Sequence, residues 1–467
     1  MSSVARTLLR SLREAAVALL AMLGTLACSQ WLDPGPASAV LGVVLSLSLA
    51  RSHLAGERRG RRDALLALPL VALASVGVGT LLRHVPWAGV TVFVAGMSLS
   101  VWMRRFGTLA QRVGSLIALP LVTLLVVPHL ARHGEGALSA VFMPVAIALV
   151  ALAWVEFAQA LGRRIGWIAA PVEVDDDSAR PRAPSAMRPS PSTRMALQMA
   201  AALASSFGVG FVFFPTHWSW IVLTAFIVNS GNRGRQDVVY KSALRVLGAA
   251  AGTIAAMAVA GPLALHGATA AALMLASVFC GIWLRPLGYG WWALFVTLAL
   301  ALLQGFQAAT PPPLLWQRLA EIAIGAALGL VAAWFVLPIR STDVLRRRIA
   351  DALAAMAEAM DPHAAAPRAD GVVAAIRQVE QLRPSFRARH LALRRWQPLQ
   401  PVDWIDALTA CQAPAVALAQ RGDAPGAVRK AIGAARKALR EPDEILPALT
   451  ALRRALESRQ GAPHVDS

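Results

Sequence analysis

Hydrophobic positions in this chain come in long uninterrupted runs, not in the one-sided stripes of surface helices. A helix that crosses a bilayer needs about 20 apolar residues, with a range of roughly 17–25. Twelve segments approach or reach that length, in two sets of six. The first set is about 15–31, 36–50, 64–82, 86–102, 113–130 and 138–161. The second is about 195–214, 218–230, 243–260, 267–284, 290–308 and 318–338. Between them, 171–193 is rich in Pro, Ser and charge and reads as a flexible linker. From 340 to 467 the pattern changes to amphipathic stretches at about 343–360, 371–395, 403–420, 425–440 and 442–458, punctuated by prolines. This predicts a small helical domain after the last span, lying against anionic lipid headgroups in the cytoplasm.

Composition agrees with this pattern. The chain has 467 residues, of which 57% are apolar and 15% charged, with a mean hydropathy of +0.55. Soluble domains carry about 25% charged residues, so an ordinary soluble enzyme is excluded. The formal net charge is +19, and where the charges sit shows what they do. With the N-terminus inside, 22 of the 45 basic residues fall in inner loops or inner span ends. Three (Arg83, Arg132 and Arg318) are assigned to outer loops, and the remaining 20 lie in the tail. That split is the positive-inside bias. The basic charge sets topology and does not read nucleic acid. The arginine-rich start followed by an apolar core has the outline of a signal peptide, but eleven further spans make it an uncleaved first helix. Cys28, Cys280 and Cys411 are far apart, so neither a disulfide framework nor a zinc site is expected.

Six spans per half is an even number, so the two halves are expected as parallel repeats related by a pseudo-two-fold axis along the membrane normal. Arg59-Gly60-Arg61-Arg62-Asp63 after the second span matches Arg233-Gly234-Arg235-Gln236-Asp237 after the eighth. The sixth and twelfth spans carry Ala-Leu-Ala-Trp-Val, ending at Val155, and Val-Ala-Ala-Trp-Phe, ending at Phe335. The second span of each half is short and follows a proline turn (Pro34 and Pro36; Pro215). Short spans at corresponding positions point to a transport site near the midplane.

The stretch 194–253 carries the most specific signature. It has an aromatic turn leading to Trp220-Ile221-Val222-Leu223-Thr224, a polar basic loop from Asn229 to Asp237, and a helix opening with Arg245, Gly248 and Gly252. This resembles the fusaric acid resistance and aromatic acid exporter family of integral membrane transporters. Ala249 stands where family members often have Thr. The resemblance implies export of small aromatic carboxylates or similar organic anions. It also implies proton coupling and a periplasmic adaptor working with an outer-membrane channel. The plant malate channel family has a similar helix opening, which keeps a gated anion channel as an alternative. A membrane-anchored interaction protein acting through its tail is the other.

Individual residues can be assigned candidate roles. Lys241 and Arg245 are one helical turn apart with Arg233 and Arg235 just before them, a cluster suited to capturing a carboxylate. Trp218 and Trp220 suit either an interfacial belt or stacking on an aromatic substrate. Glu156 and Glu321 are acidic groups inside spans and candidates for proton coupling, with Arg318 a salt partner for Glu321. Gly248 with Gly252, and Gly325 with Gly329, have the spacing of close helix packing. No phosphate-binding loop, GxSxG or HExxH occurs, so no enzyme, metal or cofactor is expected. The sequence therefore predicts an all-α inner-membrane protein of about twelve spans with both termini cytoplasmic. Its expected partners are lipid and a small organic anion, with a homo-oligomer allowed.

Overall fold

The computed structural model describes residues 3–51, 69, 73–74, 76–126, 137–168, 190–263, 267–307, 312–361, 369–393, 401–421 and 426–458. Among these residues the regular structure is helical and no strand is present. The chain divides into two compact units, one of residues 1–231 and 241–337, the other of 232–240 and 338–467.

The first unit begins with α1 (Ser3–Leu32), α2 (Pro36–Arg51), α3 (Pro86–Trp102), α4 (Thr108–Val126) and α5 (Ala137–Arg164). It continues with α6 (Pro191–Phe213), α7 (Trp218–Asn229), α8 (Arg235–Leu263, of which 235–240 count with the other unit), α9 (Gly267–Leu284), α10 (Tyr289–Gln307) and α11 (Pro312–Phe335). Proline opens several of these helices, because its missing N–H is one the first turn leaves unbonded anyway. At α6, Ser190 adds a side-chain cap that accepts from the Thr193 N–H at 3.3 Å. Among the described residues, seven helices are long and apolar enough to cross a membrane, and three shorter apolar helices accompany them. About half of the expected third span, 64–82, lies outside the described residues, as do most of the linker 171–193 and all of the Arg59–Asp63 motif. Residues 76–84 are helical.

Packing within this unit follows a pairwise pattern. Helix α5 packs on α1 and α2, and α11 packs on α6 and α7. Helix α3 packs on α4, and α9 on α10. Across the two sets, α1 meets α9 and α3 meets α6. Each of these contacts made by a helix of the first set thus has a counterpart in the second. The α3–α4 and α9–α10 turns also correspond. Each is a short 3-10 turn (Met103–Phe106; Arg285–Leu287) closed by a positive-φ glycine, Gly107 at 98° and Gly288 at 152°.

The second unit is built on α12 (Ser341–Ala359), α13 (Ala369–Glu380), α14 (Arg383–Leu393), α15 (Pro401–Ala410), α16 (Gln412–Arg421), α17 (Gly426–Ala438) and α18 (Pro442–Glu457). Its core is apolar, with Leu353, Ile376, Leu408, Leu418, Ile432 and Leu452 among its members. Two expected helices are each broken in two. The stretch 371–395 turns at Gln381–Leu382 and 403–420 turns at Cys411. Pro384 and Pro414 follow these breaks, and proline disfavours helix in the residues just before it. The thiol of Cys411 is buried in this core, and burial pushes it up to about 12.

Candidate functional site

Helix α7 organises the second half of the bundle. Its 12 residues span about 18 Å at 1.5 Å each, well short of a bilayer core of about 30 Å. Nine of the 12, from Ser219 to Asn229, are buried, so protein surrounds it on every side. Close approach on one flank depends on glycine. A Cβ on Gly325 of α11 would overlap the Ile221 carbonyl oxygen, and one on Gly329 would lie 2.6 Å from Asn229 Nδ2. Helices α8 and α10 are brought together in the same way. A Cβ on Gly248 would lie 2.7 Å from the Ala293 Cβ, and one on Gly252 would overlap the Leu294 carbonyl. These four glycines allow two backbone-to-backbone contacts that no other residue type would permit.

Two guanidinium groups lie inside this packed half. Arg245, on α8, is 2% exposed, and its Nε and Nη2 have no hydrogen-bond partner. It interacts electrostatically with Tyr289 at the start of α10. Arg318, on α11, is 3% exposed, and its guanidinium lies over the Trp220 ring at 3.9 Å. The two guanidiniums are within electrostatic reach of each other. Thr224, Thr253 and Thr297, on α7, α8 and α10, are buried with Oγ1 atoms that have no hydrogen-bond partner. A polar interior between apolar helices is costly unless it serves a ligand or pathway.

The position of Arg318 corrects the sequence reading, which put it in an outer loop. Helix α11 starts at Pro312, so Arg318 falls within its second turn and turns inward. Glu321, one turn on, is 1% exposed. It interacts with Arg318 and with Gln317, and its Oε1 lies 4.0 Å from His217 Nδ1. Glu156 is half-buried on α5, the helix that packs against α1 and α2.

The remaining candidates have structural partners. The Trp220 ring is 6% exposed and one of its faces carries Arg318, so that face is closed to an aromatic substrate. Trp218 packs on Phe207 and Phe211, with centroids 5.2 and 5.4 Å away. Lys241 Nζ donates to the Gly231 carbonyl at 3.2 Å, just beyond the C-terminus of α7, where a cation also complements the helix dipole. Arg233 and Arg235 belong to the second unit. Arg233 donates to the Gln381 side chain at 2.6 Å and to its carbonyl at 3.1 Å. The Arg235 N–H donates to the Ile339 carbonyl at 3.1 Å. Gly234 has φ 120°, and a Cβ there would lie 2.7 Å from Ser341 Oγ. Of the four-residue basic cluster, then, Arg245 alone enters the polar interior, because its helix face turns it inward while the flanking cations bind backbone or the second unit. Among the described residues no group of three or more His, Cys, Asp or Glu is placed to hold a metal ion.

A family model described as fusaric acid resistance protein-like matches residues 199–332. Over that stretch, less than a third of the chain, the sequence is similar to the fusaric acid resistance protein-like family. No curated protein and no solved structure gives a significant match. The matched region runs from α6 to α11 and holds Trp220, Arg245, Arg318, Glu321 and all four packing glycines. Together with the seven long apolar helices among the described residues, this similarity points to a multi-pass membrane protein.

Sequence reasoning missed two groups. Tyr289, one of only two tyrosines in the chain, had a visible signal in its rarity. Gln198 had none. Its Nε2 donates to the carbonyls of Val336 at 3.0 Å and Leu337 at 3.2 Å, closing the C-terminus of α11. Leu337 there takes φ 47°, a left-handed conformation more usual for glycine.

Proposed function

We propose that this protein is a twelve-helix inner-membrane transporter that exports small aromatic carboxylates or related organic anions. Its two parallel six-helix halves would have arisen by duplication, and both termini and the helical tail would be cytoplasmic. The matching packing partners and 3-10 turns of the two helix sets support duplication. The observation that carries the anion reading is Arg245, a buried cation in a membrane-spanning helix with two unpartnered nitrogens. Burying an arginine among apolar membrane helices is costly unless it is paired. A carboxylate gripped by the guanidinium fork would offset that cost. Export is also the downhill direction, since an anion leaving an interior-negative cell gains about 2.3 kcal/mol per charge per 100 mV.

The test is radiolabelled benzoate flux in proteoliposomes holding the full chain, wild type against Arg245→Gln and Arg245→Lys. Flux should fall at least about thirty-fold in Arg245→Gln, from the roughly 2 kcal/mol minimum for breaking a buried charged pair. It should fall less in Arg245→Lys. Equal flux in all three proteins would overturn the reading.

A further inference from the structure

Within the second unit, helix α17 (Gly426–Ala438) carries Arg429, Lys430, Arg436 and Lys437 and no acidic residue. At 3.6 residues per turn its sequence divides into two sides. Val428, Ile432 and Ala435 are buried in the unit's core. Opposite them, Gly426, Arg429, Lys430, Gly433, Arg436 and Lys437 are all exposed. The neighbouring helices differ. Helix α12 has three arginines and three acids, and α13, α15 and α18 carry more acids than bases. Helix α14 has three arginines, of which Arg383 is paired with Asp406 at 2.8 Å. Among the described residues, none of the four cations of α17 makes an ion pair.

Gly433 stands in the middle of this basic face. Glycine weakens a helix relative to alanine, and nothing lies within 4 Å of the position its Cβ would take, so packing does not require it. Its effect is steric. Gly433 leaves the backbone low between the cations, so a flat layer of phosphates can approach all four together.

An anionic headgroup layer gains from each such cation without any specific contact. The apolar side of α17 is enclosed in the core, so it cannot sink into the acyl boundary as that of an isolated amphipathic helix does. Contact through this face is therefore electrostatic. Tethering favours lipid over a soluble polyanion. Five residues, 336–340, separate α11 from α12, and five more, 230–234, separate α7 from α8. Such segments reach about 20 Å when fully extended, which keeps the unit at a high effective concentration near the surface that the bundle crosses.

We infer that the exposed face of α17 is a docking surface for anionic phospholipid, made by Arg429, Lys430, Arg436 and Lys437 around Gly433. The inference rests on the bundle being embedded in a bilayer and not on what it transports.

The test is energy transfer from a fluorophore on the full chain to an acceptor attached to lipid headgroups in nanodiscs. The fluorophore is placed by Gly433→Cys in a background of Cys28→Ser and Cys280→Ser, while Cys411 is buried and stays unlabelled. The discs are phosphatidylcholine alone, or equal parts of phosphatidylcholine and phosphatidylglycerol. Transfer should be higher in the anionic discs and should fall to the neutral level in about 1 M salt, where screening acts within about 3 Å. Lys430→Gln combined with Lys437→Gln should lower the docked-to-free ratio about twenty-five-fold, from about five-fold, or ~1 kcal/mol, per cation beside an anionic leaflet. Glutamine has nearly the helix propensity of lysine, so the helix is kept. Arg387→Gln combined with Arg421→Gln removes the same charge from exposed positions on α14 and α16 and should leave transfer unchanged. An equal loss in that control would overturn the assignment to α17. Equal transfer in both kinds of disc would overturn lipid as the occupant, and retention on polyuridylate that needs Lys430 and Lys437 would then assign the face to a soluble polyanion. A chain that does not co-elute with discs would instead overturn the membrane reading itself.

Discussion

Replacing Gly325 by alanine tests whether backbone contact between α7 and α11 holds the second half together. The added Cβ would overlap the Ile221 carbonyl oxygen and lie 2.9 Å from the Thr224 Cβ, where ordinary contact begins at about 3.4 Å. A backbone carbonyl in a buried helix cannot rotate away, so the helices must separate. Overpacking of this kind costs about 1–3 kcal/mol. The same exchange also stiffens the helix, a gain of about 0.5–1 kcal/mol. Gly208 on α6 supplies the control, because nothing lies within 4 Å of the position its Cβ would take and only the helix gain applies. Gly208→Ala should therefore stabilise, Gly325→Ala should destabilise, and the two should differ by about 1–3 kcal/mol. Reversible unfolding of the full chain in mixed micelles, followed by tryptophan fluorescence, reads the difference. Equal stability of the two variants would refute the argument that this pair of helices packs backbone to backbone.

Other predictions concern caps and the second unit. Gln198→Leu leaves the Val336 and Leu337 carbonyls without their donor and should cost about 1–3 kcal/mol in the same micelle assay. Leu337→Gly relieves the φ of 47° and should stabilise by up to about 1 kcal/mol. Leu452→Ala empties part of the second unit's core and should lower its unfolding free energy by about 2–5 kcal/mol, read by chemical denaturation. Cys411 makes a pH prediction. Its thiol titrates at about 12 when folded, against an unfolded value of 9.0. Between those values the unfolded chain has released the proton while the folded chain keeps it, so stability falls as pH rises, by at most about 1.4 kcal/mol per unit. Cys411→Ala should lose that component of the slope, and iodoacetamide at pH 8 should leave Cys411 unmodified until the unit unfolds, as seen by peptide mass spectrometry.

Length and hydropathy were enough to determine that this is a helical membrane protein with a separate amphipathic tail, because lipid admits only segments that satisfy their own backbone hydrogen bonds. The short span at Trp218–Asn229 and the paired glycines were legible for the same local reason, as they depend on spacing along one chain. What the sequence left undecided was which side chains meet. Lys241 and Arg245 share a helix face by spacing, yet one reaches a carbonyl beyond the end of α7 while the other is enclosed at 2% exposure. Arg318 reads locally as a loop residue, and only the packing of α11 on α7 carries it over Trp220. Arg233 and Arg235 read as part of a capture cluster, and only tertiary contacts assign them to Gln381 and Ile339. A residue's tendency to enter lipid is a local property, whereas the partner it finds there depends on helices far away in the chain, and one linear pattern is compatible with many such pairings.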